Sequence, residues 1–197
     1  MTYEIATALI AFAFVSSITP GPNNLMLMAS GVNFGVLRTL PHMFGISFGF
    51  ALMSIILGLG LVQLLESSPQ AHQALKAASV VYMLWLAWKI ANASSPKQKE
   101  EGAKPLTIFQ AAAFQWVNPK AWAMATTALT VYSPNSDLNS TLMVSAIFAG
   151  VNLPTISFWA ILGQNFRKFL SNPRNLRAFN IFMALLLVAS LWPILKA

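Results

Sequence analysis

Long apolar runs dominate this chain, and short polar stretches separate them. No Asp, Glu, Lys or Arg occurs in residues 5–37, 39–65, 121–136, 138–166 or 178–195. These runs reach or approach the roughly 20 residues a helix needs to cross the hydrocarbon of a bilayer. The pattern predicts six helical spans, at about residues 4–30, 40–65, 73–92, 106–132, 140–162 and 176–195. The third has only twelve charge-free residues between Lys76 and Lys89. Both lysines must therefore reach along their apolar stems to the interface, where Trp85 and Trp88 are suited as anchors. The predicted fold class is all-α integral membrane.

Proline interrupts two of these spans at corresponding places. The first span contains Thr19-Pro20-Gly21-Pro22-Asn23-Asn24, and the fourth contains Asn118-Pro119-Lys120, 98 residues after Pro20 in a chain of 197. Proline lacks an amide donor and disfavours helical geometry in the residue before it, so each motif should break its helix. In lipid, such backbone persists only where protein buries it or where it lines a wet cavity. Paired breaks in two halves of a chain point to the binding site of a secondary transporter.

The most polar stretch, residues 93–105, combines proline, glycine and charge and reads as a linker. It leaves residues 1–92 and 106–197 as two sets of three helices. Odd-numbered sets face opposite ways across a membrane, so the arrangement predicted is two inverted three-helix repeats with helices 1 and 4 broken at proline. Met26 and Met124 repeat the same 98-residue offset, and Trp88 and Trp192 end the third and sixth spans.

Composition agrees with a membrane setting: 56% of residues are hydrophobic, 9% are charged, and the mean hydropathy is +0.62. The net charge of +7 resides in the loops and reads as a topology signal rather than a nucleic-acid surface. Arg38, Lys89, Lys97, Lys99, Lys104, Arg167, Lys168, Arg174 and Arg177 fall after spans one, three and five; only Lys76 and Lys196 fall on the opposite side. That asymmetry predicts both termini outside the cytoplasm. The first apolar run lacks a basic leader and is expected to be retained as a span.

With no cysteine, two histidines and five scattered carboxylates, the chain offers no thiol chemistry, metal cluster or catalytic constellation. Neither a cofactor nor an enzymatic role is expected. The candidate chemistry lies at the breaks. A helix restarting at Asn23 or Asn24 presents free amides and partial positive charge, which suit a carboxylate. The unwound carbonyls before it suit an ammonium, so Pro20, Gly21, Pro22, Asn23 and Asn24 are candidate ligands for a zwitterion, unless the motif is only a proline kink or a turn between two short helices. Lys120 is the only charged residue deep in a predicted span, and an intramembrane charge is by default functional. It either pairs with a substrate carboxylate, bonds carbonyls freed by Pro119, or snorkels to the interface because the fourth span is really two short segments. Gln115, Asn118, Pro119 and Thr126 are candidate neighbours.

Gly45 with Gly49, and Gly150 near Pro154, are small-residue positions that admit close helix approach. The first pair serves either packing within the chain or a homodimer. Asn152 either lines the site or bonds its own backbone. His42 titrates near neutrality in water, and its place near a helix start predicts a solvated role.

These residues resemble the LysE/RhtB family of bacterial amino-acid exporters. The resemblance rests on Thr19 to Asn24, on Tyr82-Met-Leu-Trp85-Leu-Ala-Trp88-Lys89, and on Lys104-Pro105 leading to Phe114-Gln-Trp-Val-Asn118-Pro119-Lys120. It covers essentially the whole chain and looks most like the branch exporting cysteine and O-acetylserine. It implies efflux of a small amino acid across the bacterial inner membrane, driven by the proton gradient. No aspartate or glutamate lies mid-span, however. Glu4, Glu66 and Asp137 sit near span ends, and Glu100 and Glu101 lie in the linker. Protonation would then use Lys120, a peripheral carboxylate or the substrate. The rival readings are a passive channel for small solutes and a membrane enzyme, the latter disfavoured by the missing catalytic groups.

Overall fold

The computed structural model describes residues 2–61, 68–92, 104–133, 137–166, 168–189 and 191. These form eight α-helices, and no strand occurs among the described residues. Helix α1, Tyr3–Ile18, starts where the Thr2 hydroxyl accepts the Ile5 amide, and it stops because Thr19 is extended before Pro20. Helix α2, Pro22–Phe34, starts with Pro22 in the first helical position and Gly21 as its cap. Proline suits that position, since its missing amide would be unpaired there anyway. The restart therefore precedes Asn23 and Asn24, which occupy the first turn instead of capping it. The two helices meet at 57°.

Gly35 alone connects α2 to α3, Val36–Ile56, at φ 80°, a left-handed turn that favours glycine. No loop separates these helices, so Arg38 falls in the first turn of α3. A π-helical turn, Leu57–Leu61, extends α3. Then come α4, Pro69–Ala91; α5, Ile108–Gln115; α6, Pro119–Tyr132; α7, Leu138–Phe166; and α8, Pro173–Ala189. Thr107 and Gln110 form a reciprocal cap on α5. Before α7, Asp137 accepts the Ser140 hydroxyl at 2.6 Å and the Ser140 amide at 2.9 Å. These bonds, the hydroxyl's first, hold its carboxyl below the usual carboxylate range. Residues 93–103, Glu66, Arg167, Trp192 and Lys196 lie outside the described residues.

Two helical stretches, Val36–Leu61 and Leu138–Phe166, are long and apolar enough to cross a membrane, and α1 with α2 makes a third if counted as one bent span. Outward faces are apolar as well: Phe109 is 85% exposed and Leu37 81%, while Phe48, Val81 and Leu185 also point away from the core. Such a surface is a liability in water and a match for lipid. Trp85 and Trp88 are exposed on α4, with the Lys89 ammonium 5.1 Å from the Trp85 ring centre.

Helices α1 and α2 pack on α7, α5 packs on α3, α3 packs on α7, and α4 packs on α8. Small residues make the tightest of these contacts. Gly31 abuts the backbone of Ala160, Gly163 abuts that of Met28, and Gly45 and Gly49 sit against Ile108, Ala111 and Ala112. The Gly45/Gly49 pair thus serves packing within the chain. Gly150 has nothing within 4 Å of where a Cβ would stand, so the close approach expected there is absent. The expected solvated role of His42 also fails, for its side chain is 2% exposed. It faces inward because the Gly35 turn starts α3 six residues earlier, already packed against α2.

Candidate functional site

The two proline motifs meet. Lys120, in the first turn of α6, donates from Nζ to the Thr19 carbonyl at 2.5 Å, the Thr19 hydroxyl at 2.9 Å and the Pro20 carbonyl at 3.4 Å. A cation at the carbonyl end of α1 is favoured by that helix's dipole. Lys120 thus bonds carbonyls exposed by the other break, an arrangement outside the expected alternatives. Gly21 makes room for it: a Cβ there would lie 2.6 Å from Lys120 Cδ.

A second tie runs between side-chain amides. Asn23 Nδ2 donates to Gln115 Oε1 at 2.9 Å, and Gln115 Nε2 donates back to Asn23 Oδ1 at 3.2 Å. Gln115 is fully buried at the end of α5. Asn24 closes the end of α1 by donating to the Ser17 and Thr19 carbonyls, both at 2.8 Å. Replacing Asn23 and Gln115 by alanine singly and together should give a coupling energy of about 0.6–2 kcal/mol in a double-mutant unfolding cycle in detergent. Strictly additive single effects would show that the pair does not join the breaks.

The two helix starts differ in what they leave free. Asn118 caps α6 by accepting the Lys120 amide at 3.2 Å, and its carbonyl accepts the Trp122 amide. Gly21 provides no side-chain cap for α2. The first backbone bond of α2 comes from the Leu25 amide to the Gly21 carbonyl, leaving the Asn23 and Asn24 amides without acceptors among the described residues. The open helix start is therefore the first one.

A small cavity, open at its mouth, lies at this meeting point. Gly21, Asn23, Asn24, Asn118 and Lys120 line it, together with Ser16, Ser17 and Asn152. Phe50, Ala121, Met124 and Ile156 supply the apolar wall. Of the candidate residues, Pro20, Pro22, Gln115 and Pro119 do not line it. Pro20 contributes its carbonyl to Lys120, Gln115 acts through Asn23, and Pro22 and Pro119 begin the two helices. Thr126 spends its hydroxyl on the Trp122 carbonyl at 2.9 Å. Asn152 donates to Ser47 at 3.4 Å and lines the cavity. Sequence reasoning missed Ser17, whose buried hydroxyl has no partner among the described residues. Its one legible signal is a hydroxyl pair, Ser16-Ser17, ending an apolar run just before Thr19-Pro20.

No group of three or more His, Asp or Glu side chains that could hold a metal occurs among the described residues. Comparison with known proteins gives a consistent family. The LysE type translocator family model matches residues 14–189. The cysteine/O-acetylserine efflux proteins of Escherichia coli strain K12, of Escherichia coli O9:H4 strain HS and of Shigella sonnei strain Ss046 are each 30% identical to the chain over 192 residues. Those alignments cover 95% of the chain and 96% of each relative. No solved structure matches the chain. A chain whose described residues are helical with apolar outer faces, and which one family model matches over most of its length, belongs to the LysE type translocator family.

Proposed function

We propose that the protein is a secondary transporter that exports a small neutral amino acid or close derivative across the bacterial inner membrane, driven by the proton gradient. Its cargo class is cysteine- or O-acetylserine-like, after the names of the relatives, or threonine- or homoserine-like. The observation that carries this reading is the cavity where the two breaks meet, with an open helix start on one side and break carbonyls on the other. The Asn23 and Asn24 amides match a substrate carboxylate. The Thr19 and Pro20 carbonyls, held by the Lys120 ammonium in this conformation, match a substrate ammonium. The Ser17 hydroxyl, unpartnered among the described residues, and Asn152 are suited to a short polar side chain.

In this reading, α1–α2 and α5–α6 are two broken spans, and α3, α4, α7 and α8 are the others. The packing supports two inverted repeats. The broken span of the first half lies on α7 of the second, the broken span of the second half lies on α3 of the first, and α3 with α7 and α4 with α8 are self-related pairs. Directions agree as well: Gly45 and Gly49 of α3 meet Ile108 and Ala112 of α5 in parallel order. Both termini are assigned to the periplasm by the lysine and arginine distribution. Transport proceeds by alternating access around the break cavity.

Purified protein in proteoliposomes is expected to give counterflow of labelled O-acetylserine, with accumulation responding to an imposed pH gradient. Conductance without counterflow would replace the carrier by a passive channel. Counterflow indifferent to pH would remove proton coupling.

A further inference from the structure

The Lys120 ammonium occupies the acceptors that a cargo ammonium would use. It donates to the Thr19 carbonyl, the Thr19 hydroxyl and the Pro20 carbonyl. These acceptors are not placed by Lys120 alone. Asn24 donates to the Thr19 carbonyl at 2.8 Å and to the Ser17 carbonyl at 2.8 Å, and the Thr19 amide donates to the Val15 carbonyl at 3.2 Å. A carbonyl oxygen has two lone pairs. Thr19 can therefore keep its bond to Asn24 while one cation replaces another on the second pair.

Lys120 also lies beside the place suited to a cargo carboxylate. A Cβ on Gly21 would stand 3.1 Å from Lys120 Nζ, and Gly21 caps the helix whose Asn23 and Asn24 amides are open. Gly21, Asn23, Asn24 and Lys120 line the same cavity. The backbone of Lys120 is fixed at the start of α6, where its amide donates to the Asn118 side chain at 3.2 Å. Its four-carbon stem remains free to rotate. A short swing of that stem takes the ammonium from the break carbonyls to a carboxylate seated on the α2 amides.

We propose that Lys120 stands in for the cargo's ammonium and selects zwitterions by exchange: the arriving ammonium takes the Thr19 and Pro20 carbonyls, and the released Lys120 ammonium pairs with the arriving carboxylate. Two cations do not share the carbonyls, because like charges at that separation repel strongly away from water. After the exchange each cation again has partners, which matters in a membrane interior where a bare charge is costly. An amine that lacks a carboxylate displaces Lys120 and offers it nothing in return. A carboxylate that lacks an amine leaves Lys120 where it is. This inference rests on the export reading and names the residue that restricts its cargo to zwitterions.

The first test compares O-acetylserine with its carboxylate-free counterpart, 2-aminoethyl acetate, by calorimetry on the detergent-solubilised full chain. Wild type should bind the amine at least about tenfold more weakly than the zwitterion, since one hydrogen bond to a charged group is equivalent to roughly that factor or more. Lys120→Met removes the competitor and should tighten binding of the amine by at least about tenfold. For O-acetylserine the freed carbonyls and the lost ammonium partner offset each other, so its change is smaller. A lysine that only ties the two breaks together would, on removal, weaken both ligands alike. An amine bound no tighter by Lys120→Met than by wild type overturns the proposal. The second test needs no variant. With the lysines ¹⁵Nζ-labelled in the full chain in proteoliposomes, saturating [1-¹³C]O-acetylserine should dephase a lysine resonance in a solid-state dipolar recoupling measurement, as for an ion pair within about 4 Å. Excess unlabelled O-acetylserine should abolish the effect. Wild-type counterflow without that dephasing removes this inference alone, whereas absence of wild-type counterflow removes the export reading with it.

Discussion

Lys120→Ala is expected to abolish counterflow while the protein stays folded and present at wild-type levels. The side chain crosses from the start of α6 to the end of α1 and satisfies two carbonyls and a hydroxyl left by the first break. Hydrogen bonds to a charged group contribute about 1.5–3 kcal/mol each, which biases a two-state equilibrium by roughly 10- to 150-fold per bond. Without the tie, the arrangement in which both breaks complete the cavity loses that bias, and turnover falls. The freed Thr19 and Pro20 carbonyls remain able to accept a substrate ammonium. Binding of O-acetylserine, measured by calorimetry, should therefore survive when transport is gone. Lys120→Arg keeps the charge but needs more room than Gly21 leaves, so partial activity is expected. The same loss is expected for Pro22→Ala and Asn23→Ala. Wild-type counterflow in all three alanine variants would refute the site.

Gly163→Val should leave little folded protein, and Gly31→Val likewise. A Cβ at either position would press on main-chain atoms of the facing helix, on Met28 from Gly163 and on Ala160 from Gly31. Backbone cannot turn aside as a flexible side chain can, so α2 and α7 must separate. Overpacking of this kind costs about 1–3 kcal/mol and sometimes more. In a membrane the penalty falls on close packing of small residues, itself a main source of helix association. Separation would also carry Asn23 and Asn24 away from Gln115 and Asn152. Gly150→Val, in contrast, meets nothing within 4 Å and should behave as wild type. Size-exclusion profiles of detergent-solubilised protein check the set. A monodisperse, wild-type-like Gly163→Val would show that the α2–α7 contact tolerates expansion.

Much of the local structure was legible residue by residue. The helix ends at Ile18 and Gln115 and the starts at Pro22 and Pro119 follow from proline chemistry acting on immediate neighbours. The outward apolar faces follow from composition. Three expectations failed, each for its own reason. The restart was expected at Asn23 or Asn24 because asparagine is a good cap, but proline in the first helical position outweighed it. His42 was expected in solvent because a loop was expected around Arg38, yet Gly35 turns the chain within one residue. Gly150 was expected at a contact because its residue type permits one, although none of the described helices approaches it.

The sequence by itself determined the apolar helices, the two interruptions and the lysine and arginine asymmetry, since each depends on covalent geometry or on composition within a few residues. Only the tertiary structure decided that Lys120 reaches Thr19 across 101 positions of chain, that Asn23 and Gln115 exchange hydrogen bonds, and that Ser17 and His42 are buried without polar partners among the described residues. Those outcomes depend on the azimuth of each helix and on which backbones can approach. Glycines such as Gly31, Gly45 and Gly163 settle that only when a second helix is in place.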